Sequence, residues 1–149
     1  MLPPLNLHLY RTPPATQRSE QWVNVFGKRL PSQHVQQLGY YVMDATLDQL
    51  LDRLAQEPRL FIEPDGSFVW TGSQSGLGDH TELRVNWQLD GMLYDNPQGL
   101  VRVELMGCCP QVQWQKLIGQ LQPDGHLIAH LLEPACFVLA SDLLVLWNS

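Results

Sequence analysis

The run from Thr81 to Gly107, TELRVNWQLDGMLYDNPQGLVRVELMG, limits the possible folds of this chain more than any other stretch. Leu83, Val85, Trp87 and Leu89 alternate with Glu82, Arg84, Asn86, Gln88 and Asp90. Such alternation marks a strand with one buried face. Val101, Val103 and Leu105 alternate in the same way with Arg102 and Glu104, and Asp95-Asn96-Pro97-Gln98-Gly99 between them holds turn-forming residues. The stretch therefore predicts one long antiparallel hairpin. Pairing Tyr94 with Leu100 sets Leu93 against Val101, Gly91 against Val103 and Leu89 against Leu105, so both apolar sets share a face. The same register puts Asp90 opposite Glu104 on the wet face, where like charges repel unless Arg84 or Arg102 offsets them diagonally. That pair is a candidate cation or ligand site.

The rest of the chain reads outward from this hairpin. Residues 1–19 carry Pro3-Pro4 and Pro13-Pro14, which exclude a helix and predict an extended surface arm, with Leu5, Leu7 and Leu9 able to add as an edge strand. Residues 20–149 are expected to form a single domain. Glu20–Phe26 predicts a strand with Trp22 as its large apolar residue, Lys28-Arg29 a solvated turn, and residues 30–43 a mixture of helical turn and strand. Thr46 or Asp44 caps a first helix carrying Leu47, Leu50, Leu51 and Leu54, which Glu57-Pro58 ends. Leu60–Ile62 and Phe68–Trp70 flank Pro64-Asp65-Gly66-Ser67 as a second hairpin. The Gly- and Ser-rich stretch from Thr71 to His80 predicts a mobile loop. Pro110 opens a second amphipathic helix with Val112, Trp114, Leu117, Ile118 and Leu121, and Pro123-Asp124-Gly125 stops it. His126–Leu132 and Cys136–Trp147 return as strands, with Asp142–Trp147 readable also as a buried helical end.

Hairpins in series with isolated helices define an α+β class: a mainly antiparallel twisted sheet of five to seven strands with two amphipathic helices on one face. At 149 residues the chain is long enough to bury a core without staples. Fifteen acidic against nine basic residues give a net charge of −6, and the basic residues form no stripe, which disfavours nucleic acid as a partner. No run reaches the length of a membrane span and the first residues lack the plan of a signal peptide. The three cysteines show no paired spacing, so the expected location is the cytoplasm.

The candidate chemistry is thin. Cys108-Cys109-Pro110 places a thiol at a helix N-terminus, where the dipole lowers a thiol pKa, and a thiol-dependent enzyme with Cys109 as nucleophile and His80 as base is one expectation. Asp79 and His80 are the adjacent acid and histidine of the glycine-rich loop and make a candidate contact for a ligand or partner. That loop lacks the lysine ending of a phosphate-binding loop and feeds a strand, so it is not expected to hold phosphate. His126 and His130, four apart in an expected strand, lie too far from each other to share a metal. Trp70 and Trp114 stand near element ends where they can line a groove, whereas Trp87 belongs to the core. Taken together these features favour a small binding or protein-interaction domain without catalysis of its own and without a cofactor, whose partner is a protein or a second copy.

Overall fold

The computed structural model describes residues 2–75 and 84–148 and has the expected α+β architecture. Among the described residues nine strands run in chain order: β1 Leu5–Arg11, β2 Gln17–Val25, β3 Lys28–His34, β4 Leu60–Ile62, β5 Ser67–Ser75, β6 Arg84–Asn96, β7 Gly99–Gly107, β8 Leu127–Leu132 and β9 Ala135–Leu139. Helix α1 spans Leu47–Leu54, α2 spans Gln111–Leu121, and a 3-10 segment covers Ala140–Trp147. Seven strands form one antiparallel sheet in the order β4-β5-β6-β7-β1-β8-β9, and β2 pairs with β3 separately. The core lies on one face. Leu7 and Leu9 of β1, Leu89 and Leu93 of β6, Val103 and Leu105 of β7 and Ala129 of β8 meet Leu50 and Leu54 of α1 and Trp114, Leu117 and Leu121 of α2 there.

The proline-flanked N-terminal segment is no surface arm. Leu5–Arg11 lies between β7 and β8 and pairs with both, so the expected edge strand is an interior one. Its Leu-x-Leu-x-Leu alternation decides this, because three leucines on one side gain more by facing the core than an edge position offers. Trp22, expected as the large apolar residue of its strand, is 46% exposed. The guanidinium carbons of Arg18 and Arg29 sit 4.8 and 5.4 Å from its ring centroid, a cation–π cover that makes the exposure tolerable. Lys28-Arg29 opens β3 rather than forming a free turn.

The central hairpin forms with its register displaced by two. The turn is tighter than expected: Asn96 pairs with Gly99, and the Asn96 carboxamide oxygen accepts from the Gln98 and Gly99 backbone N–H groups at 2.8 and 3.2 Å. That alone slips the register by one and would turn every side chain over. Val101 then stands unpaired as a bulge between Leu100, opposite Asp95, and Arg102, opposite Tyr94. The second slip restores the faces, so that Leu89, Gly91 and Leu93 oppose Gly107, Leu105 and Val103. Val85 shares the side of Trp87 but stands 49% exposed near the end of β6. Thr71–Ser75, expected as the start of a loop, instead continues β5 and pairs with Arg84–Gln88. Residues 76–80 of that loop lie outside the described residues.

Two glycines shape the core side of this region. Gly72 lies opposite Trp87 and Gly91 opposite Phe68, and a Cβ on either would overlap the facing aromatic ring. Each ring therefore covers the neighbouring strand where a side chain is missing. Thr46 caps α1: its hydroxyl accepts from the Gln49 N–H at 3.2 Å and the Gln49 carboxamide accepts from the Thr46 N–H at 3.1 Å. At the end of α2 the fully buried Gln122 accepts from the Asp44 N–H at 2.8 Å and donates to the Asp44 carboxylate at 2.9 Å. Asp44 also pairs with Arg11 at 2.8 Å, which joins β1, the approach to α1 and the end of α2.

Two outcomes follow for stability. Gly91→Ala should lower it by about 1–3 kcal/mol, because Phe68 is buried and cannot swing aside; urea denaturation checks this through a lower midpoint at unchanged slope. Gln122→Leu should cost about 1–3 kcal/mol by leaving the Asp44 N–H and carboxylate short of a partner, and the same titration reads it.

Candidate functional site

The sheet has a second face, on which, among the described residues, Phe61, Val69, Met106 and Leu132 are exposed while Tyr10 and Ile128 are buried. Helices α1 and α2 both contribute to the core cluster on the opposite side. On the open side the chain through Gly39 approaches the sheet at one end, where a Cβ on Gly39 would sit 3.5 Å from Val101 and 3.8 Å from Tyr10. Beyond that end the cross-strand registers align outward-facing side chains in rows. One row runs Phe61, Val69, Asp90, Met106 and Asn6 through β4, β5, β6, β7 and β1. Phe61, Met106 and, on β8, Leu132 are 69%, 59% and 38% exposed. A parallel row runs Met92, Glu104, His8, His130 and Phe137 from β6 to β9.

The second row is a connected set of polar and aromatic groups. Glu104 accepts from the Tyr94 hydroxyl at 3.1 Å and pairs with Arg102 at 3.1 Å. The Arg102 guanidinium lies 4.2 Å from the Tyr94 ring centroid. On its other side Glu104 stands 3.6 Å from His8 Nε2. His8 meets His130 edge to face at 6.1 Å, and His130 stacks on Phe137 at 4.6 Å. Burial first, and then the neighbouring His8, hold the His130 imidazole below its ordinary pKa.

Several expected site residues land elsewhere. Asp90 does not face Glu104: it lies opposite Met106, and its carboxylate accepts from the Gln88 carboxamide at 2.9 Å, so the two acids are not a joint site. Trp70 is buried, its indole N–H donating to the Pro58 carbonyl at 3.2 Å. Trp114 is also buried, 5.5 Å from Trp147, but it does line a cavity of about 260 Å³ beside α2, as its position near an element end suggested. Asp79 and His80 lie outside the described residues. His126 precedes β8 and lies 3.7 Å from Asp124, whereas His130 is within β8. Among the described residues no three His, Cys, Asp or Glu side chains gather as a metal site, and no helix is long and apolar enough to cross a membrane.

Cys109 departs most from expectation. It precedes Pro110, the cap of α2, but its side chain points into the core and is fully buried. Burial, then the neighbouring Cys108, pushes its thiol up from 9.0 to about 12, against the lowering that a helix N-terminus was expected to give. The Cys109 carbonyl accepts from the Trp147 indole N–H at 2.8 Å. Cys108 and Cys136 are partly buried.

The outward apolar residues had a signal in the sequence. Leu60-Phe61-Ile62 and Phe68-Val69-Trp70 are unbroken apolar triplets, and a strand that is apolar at successive positions presents apolar side chains to both faces. Searches against protein-family models, curated proteins and solved structures found no match to the chain.

The burial of Cys109 gives a pH test. A thiol with a raised folded-state pKa stabilises the fold fully below its unfolded pKa, and that stability is lost as pH rises towards about 12. Urea midpoints should therefore fall more steeply between neutral and strongly alkaline pH for the parent than for Cys109→Ala. Iodoacetamide at mildly alkaline pH should modify Cys108 well ahead of Cys109.

Proposed function

We propose that the chain is a small cytoplasmic interaction domain without catalysis of its own, and that it works through the open face of its sheet with a second copy as the occupant. The observation behind this reading is the row containing Phe61, Val69 and Met106, together with Leu132, all exposed on a face that none of the described helices covers. Phe61 and Val69 adjoin, Asp90 separates them from Met106 and Asn6 separates Met106 from Leu132; exposed apolar side chains rimmed by polar ones in this way support an association site. Seven strands at about 4.8 Å spacing, open along about 15–20 Å of their length, give a face of about 500 Å² in projection. That is on the order of the ~800 Å² of accessible surface each partner contributes to a standard interface.

The distribution of groups suits a two-fold partner. Phe61 and Val69 lie towards the β4 edge, Leu132 and Phe137 towards the β9 edge, and the Glu104–Arg102 pair and His8 lie between. A two-fold axis along the central strands would lay one apolar edge of each copy on the other apolar edge of its partner, as an isologous interface requires. The buried, high-pKa Cys109 supports a non-catalytic reading. Three cysteines without an indicated bridge suit a reducing compartment.

Sedimentation velocity tests the proposal. The parent chain should sediment as a dimer at micromolar concentration, and Met106→Glu should shift it to monomer while changing folding stability by no more than about 0.5 kcal/mol. A parent monomer at every concentration, or a dimer indifferent to Met106→Glu, overturns it.

A further inference from the structure

A second site lies at the border of the open face, at the end of β1 where its pairing with β8 stops at Leu7–Leu131. Here the β2–β3 turn, β1 and the 3-10 segment enclose an open cavity of about 320 Å³. Leu5, Leu7, Val25, Leu131, Leu143 and Leu146 make it mainly apolar. Among the described residues Glu133 is its one ionisable lining residue, and no basic side chain lines it. Its volume is roughly twice that of an apolar cavity of about 150 Å³ able to hold benzene, and it falls at the small end of ligand pockets.

The aromatic residue at the cavity is an independent sign of use. Val25 pairs with Lys28, so Phe26 and Gly27 form the two-residue turn between β2 and β3, with φ of +47° and +80°. Such a turn needs positive φ at both positions and favours Asn-Gly, because a bulky side chain is strained in the left-handed region. Phe26 nevertheless occupies the first position, and its ring is 58% exposed, so core packing does not account for it. Strained backbone that carries an exposed ring beside an apolar cavity points to a contact made with something else.

We propose that this cavity binds a small apolar molecule bearing a cationic amine, with the apolar part against Leu5, Leu7 and Leu131, Phe26 covering it, and Glu133 facing the ammonium group. The charge selects the head group: with Glu133 at the site and a net charge of −6 on the chain, an acid of the same shape meets repulsion. This cavity borders the dimer face at Asn6, but its apolar walls are not part of that face, and the two proposals are read by different measurements.

Amide NMR titration with three isosteric probes tests it: naphthylmethylamine, naphthylmethanol and naphthoate. The amine should shift resonances of Leu5, Leu7, Val25, Phe26 and Leu131, and bind about three- to five-fold more tightly than the alcohol, with naphthoate the weakest. Glu133→Gln should bring the amine to the affinity of the alcohol. Phe26→Asn should weaken the amine and the alcohol about ten-fold by removing the ring, while the urea midpoint stays level or rises, since Asn tolerates the turn. That opposition between binding and stability separates a ligand contact from a structural role. Naphthoate binding as tightly as the amine, shifts confined to other residues, or undiminished binding by Phe26→Asn would each overturn the proposal.

Discussion

Hydrogen bonding along both sides of Leu5–Arg11 turns two separate hairpin systems into one sheet. Strands β4 to β7 form a continuous meander and β8–β9 a hairpin, but α2 stands between them in the chain, and β7 and β8 do not touch. β1 fills that space. Its odd positions complete the core with three leucines, and His8 carries the outer row from Glu104 to His130. Its first residues line the small cavity, and Arg11 reaches the Asp44–Gln122 linkage. Core, open face and cavity all depend on a strand whose partners are far away in sequence, an arrangement that entropy opposes until much of the chain is in place.

The two faces solve the problem of apolar side chains differently. On the helix side, glycine in one strand makes room for a ring from its neighbour, so Trp87 and Phe68 pack flat across the sheet. A second aromatic contact, Trp70 against Trp87 at 6.1 Å, closes that region. On the other side no layer of helices does this. Exposure is limited there by side chains covering one another: Arg102 lies on Tyr94, Phe137 stacks on His130, and Glu104 draws Tyr94 and Arg102 together. Phe61 and Met106 stand outside this network and remain exposed.

Elements with strong local signals were legible in the sequence. The Thr46 cap and leucine spacing specify α1, Pro110 and the run to Leu121 specify α2, and the Pro-Asp-Gly turn specifies the β4–β5 hairpin. Face assignment in the central hairpin was legible for the same reason, since it depends only on parity. The pairing itself was not, because the Asn96 side chain tightens the turn and Val101 bulges, two slips that leave the same pattern behind. The place of β1 was hidden by its prolines, which describe how the segment starts and stops and say nothing about its neighbours. The candidate site was least legible. Its rows come from seven strands, several of them distant in the chain, and tryptophans at element ends drew attention to side chains that the fold buries.

The position of β1 also bears on how the protein is made. During synthesis Leu9 leaves the ribosome 94 residues before its partner Val103 (103 − 9). At about 5–20 residues per second the strand waits roughly 5–20 s with leucines exposed and both backbone edges unpaired. A strand in that condition is a template for wrong pairing with other nascent chains. The prolines on either side, Pro3-Pro4 and Pro13-Pro14, cannot donate to such a ladder and limit its length at both ends. The residues that disguise the strand in the sequence thus also guard it while its partners are still being translated.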